Sequence, residues 1–196
     1  MMRVFAALCA IWIGLCGQSN ARITQIEIAK TEPAFGGATF GETGAYLLLT
    51  GTARGELDPA NPGNAIIQDI DLAPRNARGM VEYSTDIQIL KPSDQSRGNR
   101  VLLFEVVNRG NKLAVRVFDS DISGGLAESN ALANPGDGFL FKQGYTLIWF
   151  GLQQDVIAGA GRLLMPPVVA HNHDGSSITG IEIGRASCRE RVLRLV

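Results

Sequence analysis

The sequence predicts an α/β chain in which a β-rich N-terminal part leads into a βαβ-like unit of a parallel sheet. Three observations predict it. Residues 80–90 alternate, with Val81, Tyr83, Thr85, Ile87 and Ile89 on one face and Glu82, Ser84, Asp86 and Gln88 on the other, the pattern of a half-exposed antiparallel strand. Residues 101–107 and 145–150 are by contrast almost continuously apolar, as strands covered on both faces are. A short helical pattern lies between those two runs, so strand, crossover and strand follow one another as in a parallel unit.

Each element has its own local reason. Ile23, Ile26 and Ile28 alternate loosely and predict a first strand; Phe35-Gly36-Gly37 and Phe40-Gly41 through Gly44 are turn-rich, and Tyr46–Thr52 is a second strand. Asp58–Asn64 reads as a loop, because Pro59 and Pro62 fix φ and Gly63 is permissive. Ala65–Ile70 and Met80–Leu90 are predicted as further strands, and Lys91-Pro92-Ser93-Asp94 ends the second of them. After Val101–Val107, Asn108-Arg109-Gly110-Asn111 turns the chain sharply. Asp137 is placed to cap a helix over Phe139–Gln143, which Gly144 closes from the position after its last turn. Residues 22–95 form the β-rich region, and residues 96–182 the beginning of the second region.

Composition narrows the functional classes. Lys plus Arg is 18 and Asp plus Glu is 19, a balance that argues against a nucleic-acid or polybasic membrane-surface protein. Hydrophobic residues at 45%, with eight Phe and two Trp, exclude a disordered chain.

The two ends differ from the rest. Arg3, the uncharged apolar run Val4–Leu15 and the small residues Ser19 and Ala21 make residues 1–21 an export signal with cleavage expected after Ala21. The run is shorter than the ~20 residues a membrane span needs, so no stable span is expected once the signal is removed. Neither Cys9 nor Cys16 follows a small residue, which excludes a lipid-modified cysteine. Ile183-Gly184-Arg185-Ala186-Ser187-Cys188-Arg189-Glu190-Arg191-Val192 resembles the conceptual translation of a short-read sequencing adapter, and residues 183–196 are expected to be an artefactual tail. Residues 22–182 carry 13 basic and 18 acidic side chains and no Cys. They therefore offer no disulfide framework, thiolate metal site or Cys nucleophile, and the expected location is periplasmic or secreted.

Few residues carry recognisable chemistry. A serine-hydrolase elbow reads Gly-x-Ser-x-Gly; Gly17-Gln18-Ser19-Asn20-Ala21 falls in the signal, and Gly175-Ser176-Ser177-Ile178-Thr179-Gly180 has the wrong spacing. No nucleotide-binding Gly-rich loop stands in a proper setting, so no cofactor is expected. His171-Asn172-His173-Asp174 could hold a metal through two histidines on one strand face, but a polar turn before Gly175 is the better reading, and no metal is expected. Asp69 and Asp71 read as a solvated face, and the Asp58–Asn64 loop as a turn rather than a calcium loop. The tetrad Asn108–Asn111 is more informative, because in open α/β sheets function gathers at the carboxyl ends of strands. A Gly there frees backbone N–H groups for an oxyanion; the competing reading is an ordinary turn with Arg109 in solvent.

A family resemblance is carried by Phe40-Gly41 through Tyr46, Leu49-Thr50-Gly51-Thr52-Ala53, Gly55-Glu56-Leu57-Asp58-Pro59 and Asp71 through Gly79. It continues through Val107-Asn108-Arg109-Gly110-Asn111-Lys112, Gly138-Phe139-Leu140 and Gln143-Gly144-Tyr145-Thr146. Over about residues 23–182 the chain resembles the exported bacterial alpha/beta hydrolase domain-containing proteins, whose catalytic half follows this region. The resemblance implies an N-terminal fragment of an exported, esterase-like serine hydrolase acting on a small-molecule ester. Its sheet would be incomplete and its triad would lie beyond residue 182, so this chain would hold no catalytic residue and be inactive alone. Arg109, Gly110 and Asn111 are then the oxyanion-loop candidates. Such a fragment would leave the strands at 101–107 and 145–150 short of neighbours. The alternative is a non-enzymatic, exported β-rich binding module, and a metal-binding protein centred on His171 and His173 ranks third.

Overall fold

The computed structural model describes residues 21–120 and 125–178. The export signal expected over residues 1–21 lies outside the described residues but for Ala21, and the tail expected from Ile183 lies wholly outside them. Strands β1 (Ala21–Pro33), β2 (Thr39–Phe40), β3 (Gly44–Leu57) and β4 (Val81–Pro92) form the N-terminal part. After them come β5 (Leu102–Val106), the short helices α1 (Ala114–Phe118), α2 (Leu126–Asn130) and α3 (Phe139–Lys142), and finally β6 (Thr146–Phe150).

One mixed sheet runs in the order β1-β3-β4-β6-β5, with β2 paired to β3. The pairs β1–β3, β2–β3, β3–β4 and β4–β6 are antiparallel, and β5–β6 is parallel. β1, β3 and β4 are long because their alternation has no internal proline; Pro33 and Pro92, which cannot donate to a ladder, stand at their ends.

The register defines two faces. On one, Tyr46 and Leu90 join Leu147 and Trp149, and α1 and α3 close over them with Ala114, Val115, Leu140 and Phe141. Tyr46 anchors this layer: its hydroxyl donates to the carbonyls of Tyr145 (3.0 Å) and Phe141 (3.2 Å). Its ring also stands edge-on to Phe141 at 5.1 Å between centroids. The opposite face carries the rows Phe104-Ile148-Ile89-Leu49 and Val106-Phe150-Ile87-Gly51-Ile28. Cover comes at one end of it, where Ile70, Ala73 and Val81 pack with Leu57, Ile67 and Val168.

The α/β expectation is corrected. The described residues are β-rich: a six-stranded, mostly antiparallel sheet with helices of only four or five residues, not an alpha/beta-hydrolase unit. β5 and β6 do pair in parallel across a crossover, as the order of apolar runs predicts. Gly125, Pro135, Gly136 and Gly138 divide that crossover into short pieces, so no long helix forms to cover a parallel sheet. The almost continuously apolar 101–107 run is not covered on both faces either. Leu102, Phe104 and Val106 are exposed, while Leu103 and Glu105 turn toward the helical layer.

Ala65–Ile70 is a second correction, since it folds as turns and 3-10 segments rather than a strand. Asn61 Oδ1 accepts from Gly63 N at 2.7 Å, Asn64 Nδ2 donates to Asp58 O at 2.8 Å, and Asp69 adopts φ 58°. The Asn61 and Asn64 amides, with the Asp58 carboxylate that accepts from Ala60 N at 2.9 Å, bond nearby backbone and outcompete the ladder there. The predicted helix near Phe139 is present. Asp137 Oδ1 accepts from Phe139 N at 2.9 Å, and Gly144 takes φ 76° after the last turn.

Candidate functional site

Two parallel strands place their carboxyl ends on the same side of a sheet, so the segments leaving β5 and β6 are neighbours. Val107 is buried, and the chain then reverses over Asn108–Asn111. Asn108 N donates to Asn111 O at 3.2 Å, and Asn111 N to Asn108 O at 3.0 Å. Arg109 (φ 51°) and Gly110 (φ 76°) are both left-handed, as the two central residues of the tightest reversals are. A left-handed Arg costs ~1–2 kcal/mol, so the surrounding contacts must hold it there.

Those contacts treat the three candidates differently. The Arg109 guanidinium donates to Asp155 Oδ2 at 2.9 Å, joining the segment after β5 to the segment after β6. Gly110 is buried under residues 156–163: its carbonyl accepts from Leu163 N at 3.0 Å, and a Cβ on it would stand 2.6 Å from Leu163 O. Asn111 is buried, with Nδ2 donating to Asn108 O at 2.9 Å and Oδ1 accepting from Asn130 Nδ2 at 2.8 Å. The amide of Asn111 therefore braces the turn, Gly110 lets another segment pass close, and Arg109 alone keeps a partly exposed polar group at the strand ends.

Beneath the turn lies a buried polar network. Asn130 Oδ1 accepts from Lys112 N at 2.9 Å, and Ser129 Oγ donates to Lys112 O at 2.9 Å. Lys112 is itself buried; Nζ donates to Gln88 Oε1 and lies 5.9 Å from the centroid of Trp149. Burial lowers the Lys112 pKa to about 8, against the opposing pull of the Glu105 carboxylate. Glu105 accepts from Leu113 N at 2.6 Å, from Ala114 N at 2.9 Å and from Trp149 Nε1. Glu105, Trp149, Gln88 and Thr50 stand side by side across four strands, and Gln88 Nε2 continues the chain of bonds to Thr50 Oγ1 at 3.2 Å. Sequence reasoning singled out none of Glu105, Asn130, Asp155 and Trp149. The signal for Glu105 was present, since a lone charge inside an apolar strand has to be paired.

A second concavity, about 380 Å³, lies at the other end of the sheet, where Gln25, Arg54 and Tyr83 meet Pro166 and Pro167. Glu56 is buried beside it, gripped by Arg22 (2.7 Å) and by Arg78. His171 and His173 are exposed, and no group of three metal-ligating side chains occurs among the described residues. The 171–177 segment is a polar turn closed by Asn172 N to Ser176 O at 3.0 Å. Asp71 is exposed beside Arg75, and the 58–64 loop is closed by its own Asn and Asp side chains. No helix among the described residues is long and apolar enough to cross a membrane.

No protein-family model matches this chain, nor does any curated protein or solved structure.

Proposed function

We propose that the chain is the N-terminal part of an exported hydrolase acting on small-molecule esters, with Arg109 as a donor to the oxyanion that forms during acyl transfer. The observation that carries this reading is the position of the Arg109–Asp155 pair, where the carboxyl ends of the parallel strands β5 and β6 meet. A partly exposed ion pair is worth ~0–1 kcal/mol, so an incoming oxyanion displaces Asp155 from Arg109 at little cost. The buried bonds of Asn111, Asn130 and Lys112 hold the turn in place while that exchange occurs. The nucleophile, acid and histidine of the reaction are assigned to none of residues 21–178.

Reading the gene from unamplified genomic DNA across codon 182 tests this proposal. A frame that continues into a Gly-x-Ser-x-Gly elbow, an acidic residue and a late His supports it. The encoded protein should then hydrolyse short-chain p-nitrophenyl esters, and Arg109→Ala should lower kcat about 100-fold, the scale of one lost oxyanion donor. A gene in which residues 183–196 are genuine codons followed by a stop overturns it. That outcome would favour a binding module, whose ligand site would be the concavity around Gln25, Arg54 and Tyr83.

A further inference from the structure

The two edges of the sheet are built differently. β1, at one edge, carries register breaks between Ile23 and Gln25 and between Ile28 and Lys30, together with Arg22, Lys30 and a terminal Pro33. Bulges, charges and proline are the devices that keep an edge strand from pairing. β5, at the other edge, has neither bulge nor proline: its register with β6 is unbroken over Leu102–Val106, and its one charge, Glu105, is held by α1 and Trp149 and so does not line the open edge.

The main chain of β5 is equally available. Thr146 N donates to Val101 O at 3.0 Å. Because N–H and C=O of one residue point to the same side and alternate along a strand, Leu103 and Glu105 also face β6. Leu102, Phe104 and Val106 therefore direct their N–H and C=O groups to the open edge. The same three side chains are exposed, at 58%, 49% and 69%. Beside them runs an apolar groove of about 290 Å³ between β5 and α1, lined by Val117 and Phe118 among others.

We propose that this edge pairs with β5 of a second copy of the chain, antiparallel, with Phe104 on the twofold axis and Leu102 opposite Val106 of the other copy. The segment is self-complementary about Phe104: the residues two before and two after it are both aliphatic and exposed, and all three present outward hydrogen-bonding groups. An isologous contact requires that symmetry. Leu102, Phe104, Val106, Val117 and Phe118 each leave 49–69% of their surface open. At roughly 100 Å² apiece, two copies bury on the order of 1,000 Å², the lower bound for a stable interface. Pairing merges two sheets into one and removes both unguarded edges.

Sedimentation velocity and light scattering on the full chain, with amide exchange read at β5, test the arrangement. Expected are twice the chain mass and slow exchange at the amides of Leu102, Phe104 and Val106. Val106→Lys should return the mass to that of one chain and speed those amides without changing the far-UV spectrum, because the side chain is exposed. Ile26→Lys, on the opposite edge, should leave the dimer intact. A monomer at every concentration overturns the proposal, as do polydisperse aggregates, a dimer that survives Val106→Lys, or one abolished by Ile26→Lys. The dimer is read from mass and amide exchange and the hydrolase reading from the gene beyond codon 182, so the failure of one is distinguishable from the failure of the other.

Discussion

Glu105 and Trp149 stand directly opposite each other in the parallel β5–β6 register, and the Glu105 carboxylate accepts the indole N–H while capping the first turn of α1 through Leu113 N and Ala114 N. One carboxylate thus fastens a strand, its neighbour and the helix above them. It also faces Lys112, whose ammonium is buried over the same indole. Glu105→Ala leaves three donors without their acceptor, while Lys112 keeps its bond to Gln88 and loses only a nearby opposite charge. A buried donor left unsatisfied costs about 1–3 kcal/mol, and with three of them urea denaturation should register a loss of at least about 3 kcal/mol. Glu105→Gln keeps one acceptor oxygen but turns an NH2 toward N–H groups, so its cost should be about 1–3 kcal/mol. Equal stability of Glu105→Ala and the parent chain would contradict the arrangement.

Lys112 gives a second test, now in pH. Burial holds its pKa at about 8 in the folded chain, below the ordinary 10.5. Between those values the unfolded chain binds the proton more readily than the folded one, so stability rises as pH increases from about 8 to 10.5. Lys112→Met removes the titrating group and should flatten the rise. The measurement is the difference in unfolding free energy between the two chains at a series of pH values in that window. A rise of the same size in both chains would assign it to another group.

How far the sequence reveals this architecture depends on which force decides each element. β4 was legible because period-2 alternation over 81–89 marks an extended strand, although both its faces are covered in part, by the helical layer over Leu90 on one side and around Val81 and Ile87 on the other. The α3 helix was legible because Asp137 and Gly144 mark its ends. β5 read as covered on both faces because every side chain in it but Glu105 is apolar; composition records what a strand could bury, and only the tertiary structure decides what it does bury. Ala65–Ile70 misled for a related reason: its apolar residues satisfy a strand template, while Asp58, Asn61 and Asn64 close local hydrogen bonds that no period detects. At the candidate site, the left-handed pair Arg109-Gly110 could be anticipated from the turn signal. Its partner Asp155 lies 46 residues away, beyond the reach of any local pattern.

Asp119 titrates in the opposite sense to Lys112. It is fully buried; Oδ1 accepts from Leu140 N at 2.8 Å, and Oδ2 has no hydrogen-bond partner among the described residues. Burial raises its pKa from the ordinary 3.8 to about 6, the Leu140 bond opposing and the Asp137 charge adding to it. The folded chain then holds the proton more tightly than the unfolded one. Stability from this group is complete below about 3.8 and is lost as pH rises to about 6. Asp94 and Asp174 act the other way, since bonds from Ser96 and Ser176 lower their pKa values. The informative quantity is therefore the parent chain minus Asp119→Asn, which should slope downward between pH 4 and 6 and be level above it. A level difference throughout would show that Asp119 stays ionised in the folded chain.

Gly136 and Gly79 separate backbone strain from steric exclusion. Both adopt positive φ, 61° and 76°. A Cβ at Gly79 meets nothing within 4 Å, whereas at Gly136 it would fall 1.8 Å from Asp119 O, which also accepts Asp137 N at 2.7 Å. Gly79→Ala should cost about 1–2 kcal/mol, the left-handed penalty alone. Gly136→Ala adds a collision with a backbone atom that cannot move without breaking the bond that positions the start of α3. Overpacking of that kind adds about 1–3 kcal/mol, so the second variant should be clearly less stable than the first in thermal or urea unfolding. It should also lose protection at the amides of Asp137 and Leu140, both of which donate to Asp119. If the two variants unfold together, the close approach of Gly136 to Asp119 is not a feature of the folded chain.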